Sequence, residues 1–161
     1  MNSDTLHRPI RIRAALRGAL FVLLASWSLG PAIAHGATPS PVGLWKTVDD
    51  KTGEARSHVR ITEEAGVLTG RIELILAADK RNARCIACTG AKKNQPITGM
   101  AIIEGVRRDR SAMHWEGGNI LDPNDGKVYR VRLTPKNEGR ALEVRGFVGP
   151  FYRNQSWIRL E

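Results

Sequence analysis

From Val42 onward, apolar side chains recur at every second residue in short stretches separated by turn-forming residues, which is the signature of half-buried β-strands. In the stretch Leu68 to Leu76, the residues Leu68, Ile72, Leu74 and Leu76 share one face while Thr69, Arg71 and Glu73 share the other. The same alternation sets Tyr129, Val131 and Leu133 against Arg130 and Arg132, and Leu142 and Val144 against Glu143 and Arg145. These two stretches read as outer-wall strands with one wet face. Eight strands are predicted: Gly43 to Val48, Ser57 to Ile61, Leu68 to Leu76, Ile97 to Val106, Ala112 to Glu116, Lys127 to Leu133, Arg140 to Gly146 and Gln155 to Leu160.

The connections carry turn chemistry. Asp49-Asp50-Lys51-Thr52-Gly53, Glu63-Glu64-Ala65-Gly66 and Asp122-Pro123-Asn124-Asp125-Gly126 suit tight reversals, because Pro presets φ and Asp-Gly tolerates positive φ. Ala77 to Gln95 is irregular, and no long amphipathic helix is evident. Sequential hairpins favour an all-β, single, small antiparallel up-and-down barrel of about eight strands, since closure removes the unpaired edges of an open sheet. An open sandwich is the alternative architecture.

The segment ahead of the strands reads differently. Arg8, Arg11, Arg13 and Arg17 precede an apolar run from Gly18 to Leu29, and the small-residue site Ala32-Ile33-Ala34 follows, as in a secretory signal peptide cut after Ala34. The apolar run is shorter than the ~20 residues of a spanning helix, so no membrane span is expected in the mature protein. The expected organisation is a signal peptide over 1–34, a flexible leader over 35–41 and one domain over 42–161. Export to the periplasm is the expected address, with full secretion as the variant. There disulfides persist and nucleic acid is not an expected partner.

Removing residues 1–34 from the 161 leaves 127, enough for one domain with its own core. This part holds 21 Lys and Arg against 15 Asp and Glu, a formal charge of +6 compared with +9 for the whole chain. A basic exterior in the envelope is suited to solubility and to anionic envelope components.

Several spaced motifs run nearly the whole length from Val42 to Glu161. They are Gly43-Leu44-Trp45-Lys46-Thr47, Cys85-x-x-Cys88, Lys93-Asn94-Gln95-Pro96-Ile97-x-Gly99, Trp115-x-Gly117-Gly118-x-Ile120-Leu121-Asp122-Pro123, Gly126-Lys127-x-Tyr129, Val144-Arg145-Gly146 and Trp157-x-Arg159. Together they resemble the domain of unknown function 2147 family of small exported bacterial proteins. The resemblance implies a calycin-like, lipocalin-related barrel and assigns no chemistry. Gly43-x-Trp45 also resembles the opening signature of lipocalins, which implies that the indole plugs one barrel end under Arg159. A guanidinium over an indole face is worth about 0.5–2 kcal/mol, so this pair is read as architecture, as are Trp115 and Trp157.

Cys85 and Cys88 are the constellation with the most chemical scope. A redox pair belongs at a helix N-terminus, and Thr89-Gly90-Ala91-Lys92-Lys93-Asn94 is not a convincing helix, although Arg81, Arg84, Lys92 and Lys93 would favour a thiolate. A local disulfide that fixes loop shape is the preferred reading, with thiol redox as the alternative. No second cysteine pair exists to complete a zinc site, and His58 and His114 read as solitary imidazoles, so neither metal nor cofactor is expected. Asp49, Asp50, Glu54, Glu116, Asp122 and Asp125 read mostly as turn residues, and Ser57, Ser111 and Ser156 lie outside any nucleophile elbow. Gly117-Gly118 reads as a bulge beside Trp115.

The function expected first is a non-enzymatic barrel that binds a small, partly apolar ligand, with Gly70, Gly99, Ala101 and Gly146 leaving room for it. The alternative is a solid barrel that works by interaction or envelope maintenance through its basic surface and the Cys85–Cys88 loop. Third stands a thiol redox protein.

Overall fold

A computed structural model describes residues 39–161. The expected signal peptide and most of the expected leader lie outside the described residues. Eight strands form the domain: β1 (Gly43–Val48), β2 (Ala55–Glu64), β3 (Val67–Ile75), β4 (Ala101–Arg108), β5 (Trp115–Asp122), β6 (Lys127–Lys136), β7 (Ala141–Val148) and β8 (Phe151–Arg159). Each pairs antiparallel with the next, and β8 returns to β1, giving a closed up-and-down barrel. Both ends of the domain and the β2–β3, β4–β5 and β6–β7 turns therefore share one rim, the closed end. The other four connections share the opposite rim, the open end.

All eight strands feed one continuous buried cluster. Trp45, Val59, Ile61, Leu68, Ile72, Ile103, Val106, Trp115, Val131, Leu133, Leu142, Val144 and Trp157 fill it from the barrel wall, and Cys85, Cys88, Met100, Ile102 and Leu121 extend it. The expected space at Gly70 is absent: a methyl group there would lie 3.0 Å from the Ile103 side chain, so the missing side chain admits Ile103.

Bulges correct two sequence expectations. In β3, Ser57 pairs with Ile75 and His58 with Leu74, but Val59 pairs with Ile72, which leaves Glu73 as an extra residue. One inserted residue reverses the faces beyond it, so Leu74 points to solvent and Ile75 packs on the core. In β5 the register shifts between Trp115 and Gly118, and the strand runs through both glycines to Asp122 instead of ending at Glu116. The start of β4 is also later than expected, at Ala101, because Ile97 to Met100 belong to the loop that folds over the wall.

Candidate functional site

At the closed end, Trp45 is fully buried and its indole N–H donates to the Pro41 carbonyl at 2.7 Å. The Arg159 Cζ lies 4.1 Å from the Trp45 ring centroid. Its guanidinium donates to the carbonyls of Ser40, Val42, Gly139 and Glu161, drawing together the entering chain, the β6–β7 turn and the C-terminal residue. Burial holds the Arg159 pKa below its usual value. Gly43 is where this clasp passes closest, since a Cβ there would sit 2.5 Å from Arg159 Nη1 and from Glu161 O. Every polar partner of Arg159 is backbone, an arrangement that seals the barrel and offers no reacting atom.

Cys85 and Cys88 form a disulfide and are 0% and 3% exposed. The loop that carries them is pinned internally by Cys85 N–H to Gln95 O and Asn94 N–H to Cys85 O, each at 2.9 Å. It docks on the outer wall near the open end. Lys92 Nζ donates to Ala101 O at 2.9 Å and pairs with Glu104, and Cys85 Sγ lies 3.3 Å from Pro123 O. Ile102 and Leu121 alternate with the inward Ile103 and Ile120, so they face outward, yet both are buried in the same cluster as the disulfide.

The β5–β6 turn is the platform for that loop. Gly126 N–H closes it onto Asp122 O at 2.8 Å, Asp122 Oδ1 accepts from Asn124 N–H at 2.9 Å, and Tyr129 donates its hydroxyl to Asp125 Oδ2 at 3.1 Å. The Lys127 amide, bonded to Asp125 Oδ1, holds that carboxyl below the usual range. Gly126 has φ +70°, and a Cβ on it would fall 2.1 Å from Ala87 O, so only glycine lets the disulfide loop rest there. Gly118 answers a similar need one strand away, where a Cβ would lie 2.3 Å from Glu104 O. Cys85, Cys88, Asp122, Pro123, Gly126 and Tyr129 thus gather near the open end, and Gly43, Trp45 and Arg159 at the opposite end.

The open rim carries charge and apolar surface. β1 and β8 are paired only at Trp45–Arg159 and Lys46–Ile158. Farther along this seam Arg153 grips Asp50 with two hydrogen bonds, Nε to Oδ2 at 2.8 Å and Nη2 to Oδ1, and holds that carboxyl below its usual range. Beside it the Thr52 and Lys51 amides, with Arg56, bring Asp49 down to about 2. A groove of about 530 Å³ follows the seam past Val48, Asp50, Glu143, Asn154 and Ser156. A second groove, about 250 Å³, lies on the β2–β3 wall between Arg60, Arg71, Glu73 and Gly99. Both open outward.

Sequence reasoning singled out none of the residues of the β6–β8 outer face as a site. There Arg130 and Arg132 stand 5.8 and 5.6 Å from the Phe147 ring, and Arg145 stands 4.3 Å from Tyr152. Phe147 and Tyr152 are neighbours at 6.5 Å between centroids. The adjoining β7–β8 hairpin exposes Val148 by 54%, Phe151 by 75% and Tyr152 by 59%. The signal was present in the arginines that alternate with the core residues of β6 and β7, but their stacking partners come from a neighbouring strand.

A family of bacterial proteins described as uncharacterized and conserved, domain of unknown function 2147, matches residues 43–159. No curated protein matches the chain. Among solved structures, a protein from the human pathogen Helicobacter pylori, described as belonging to the lipocalin family, is similar with a TM-score of 0.66 and 19% identity, over 77% of this chain and 85% of that one. At that identity the likeness carries the fold: a closed, eight-stranded antiparallel barrel of lipocalin type. With the match running from the first strand to the last, this chain belongs to the domain of unknown function 2147 family.

Proposed function

We propose that this protein is a non-enzymatic binding module of the cell envelope that meets its partner on the outside of a filled barrel, and that the partner is an anionic lipid surface. The observation that carries this reading is the stacking of Arg130 and Arg132 on Phe147 and of Arg145 on the exposed Tyr152, at a hairpin whose tip also exposes Val148 and Phe151. Large exposed apolar side chains gathered in one place mark contact surfaces. Aromatic residues settle at the headgroup level of a bilayer, and each arginine near an anionic surface adds about 1 kcal/mol. The expected export and the positive charge of residues 35–161 favour such a partner.

The barrel interior supports a ligand less well, because side chains from every strand occupy it. Burial of both sulfurs likewise weighs against thiol exchange, which needs an accessible thiolate. The lipocalin-type fold favours a second reading, an apolar molecule held inside. Co-sedimentation with phosphatidylglycerol vesicles, compared with phosphatidylcholine vesicles, separates the two. Selective binding to the anionic vesicles, lost in Phe151→Ser and weakened in Arg145→Ser and by salt, is expected. Absence of vesicle binding, together with an apolar fluorescent probe held equally by the parent and Phe151→Ser, would overturn the surface reading in favour of the interior.

A further inference from the structure

The β4–β5 turn at the closed end assembles a set of donor atoms that the fold and the proposed surface leave unused. Asp109 N–H donates to His114 O at 3.0 Å, so the turn closes with both side chains adjacent. Asp109 Oδ1 accepts from Ser111 N–H at 2.8 Å and from Ser111 Oγ at 2.7 Å, which directs Oδ2 toward the imidazole. Glu116, the second residue of β5, follows His114 by two positions. His114 Nε2 then lies 3.4 Å from Asp109 Oδ2 and 3.3 Å from Glu116 Oε2. The three donor atoms are all within 4.8 Å of one another.

The imidazole is only 17% exposed, and its Nε2 is fully buried with no hydrogen-bond partner among the described residues, although two carboxylate oxygens flank it. A hydrogen bond from a ring N–H runs at ~2.7–3.2 Å and close to linear. Two ligands on a tetrahedral ion, bonded at ~2.0–2.2 Å, stand roughly 3.3–3.5 Å apart, and each lies off the axis of the other. The observed separations match the second case. Ser111 acts as the outer partner that orients a ligating carboxylate.

Arg132 reaches the same group, with Nε and Nη2 at 2.8 and 2.7 Å from Glu116 Oε2. It supplies the positive charge that the two carboxylates need when no ion is bound. A cation entering the cluster must share Glu116 with it or displace it.

We propose that Asp109, His114 and Glu116 form a three-residue site for a divalent cation of the zinc class, with the remaining coordination completed by water. The mixed imidazole and carboxylate donors suit zinc and its first-row neighbours better than magnesium or calcium, which take oxygen ligands. The site shares Arg132 with the outer face assigned to the anionic surface, but metal binding by the three ligands does not rest on that assignment. The earlier expectation of no metal treated His114 as solitary; the turn gives it two carboxylate neighbours.

The test is zinc titration of the chelator-treated full-length protein by calorimetry, with cobalt absorption as a second readout. One saturable zinc per chain is expected, with an affinity reduced roughly 10–100-fold or more in Asp109→Asn and His114→Ala and unchanged in His58→Ala. Arg132→Met should bind zinc more tightly. Cobalt should give the visible bands of a low-coordinate site, and these should vanish on addition of zinc. Metal-free melting curves check that the variants fold, and Ser111→Ala, which touches no metal, serves as a milder variant with a smaller loss. Zinc binding indifferent to His114→Ala, equal binding of magnesium, or cobalt bands absent from the folded parent would each overturn the assignment.

Discussion

Replacing Trp45 with alanine tests whether the closed end is a structural clasp. The indole is fully buried, donates to Pro41 O and lies under the Arg159 guanidinium. Deleting a buried aromatic costs about 3–5 kcal/mol from lost burial and the cavity left behind. Stranding the Pro41 carbonyl adds about 1 kcal/mol. At this chain length each kcal/mol moves Tm by about 3–5 °C, so a fall of roughly 12–30 °C is expected by calorimetry or circular dichroism. A double-mutant cycle with Arg159→Met isolates the stacking, and its coupling should be about 0.5–2 kcal/mol. A Tm within a few degrees of the parent, or no coupling between the two positions, would refute the reasoning.

Three further outcomes follow from particular contacts. Replacing Cys85 and Cys88 together by alanine should raise amide hydrogen exchange across residues 83–97 while the barrel amides stay protected, because the ring is short and its closure entropy amounts to only about 2 kcal/mol; global loss of protection would contradict this. Gly126→Ala should detach the same loop while the cysteines remain oxidised, since the added methyl meets the Ala87 carbonyl and the backbone is at positive φ; crosslinking or exchange of the loop unchanged from the parent would count against the docking. Asp49 has its carboxyl at about 2 against 3.8 ordinarily, with the Thr52 and Lys51 amides as the largest cause. A depressed folded value means stabilisation that is present above 3.8 and lost as pH falls through about 2, so Asp49→Asn should lower Tm at pH 7 and the difference should shrink as pH falls toward 2; a difference as large at pH 2 as at pH 7 would deny that the charge is responsible.

Much of the barrel was legible because a strand needs only a local, period-two pattern and a turn needs only a few residue types in a row. β1 was bounded residue for residue, and every other predicted strand overlaps the one observed. Two of the errors, in β3 and β5, share one cause. A bulge such as that at Glu73 is a mismatch between two strands, visible only when Leu74 is set against His58 and Ile72 against Val59. The strand of Trp115 was cut short for the same reason, since glycine inside a run reads as a stop until the partner strand shows it as an inserted residue.

What the sequence by itself determined was the class of fold, the turns, the cysteine pair and the family motifs, all of which rest on neighbours along the chain. Tertiary structure alone decided that the space at Gly70 belongs to Ile103, that the disulfide loop lies over Ile102 and Leu121, that Phe147 and Tyr152 are overlaid by arginines, and that His114 faces Asp109 and Glu116. The physical reason is register. Closing eight strands into a barrel sets which side chains from distant stretches share a face, and a shift of one residue in any pair would exchange inside for outside.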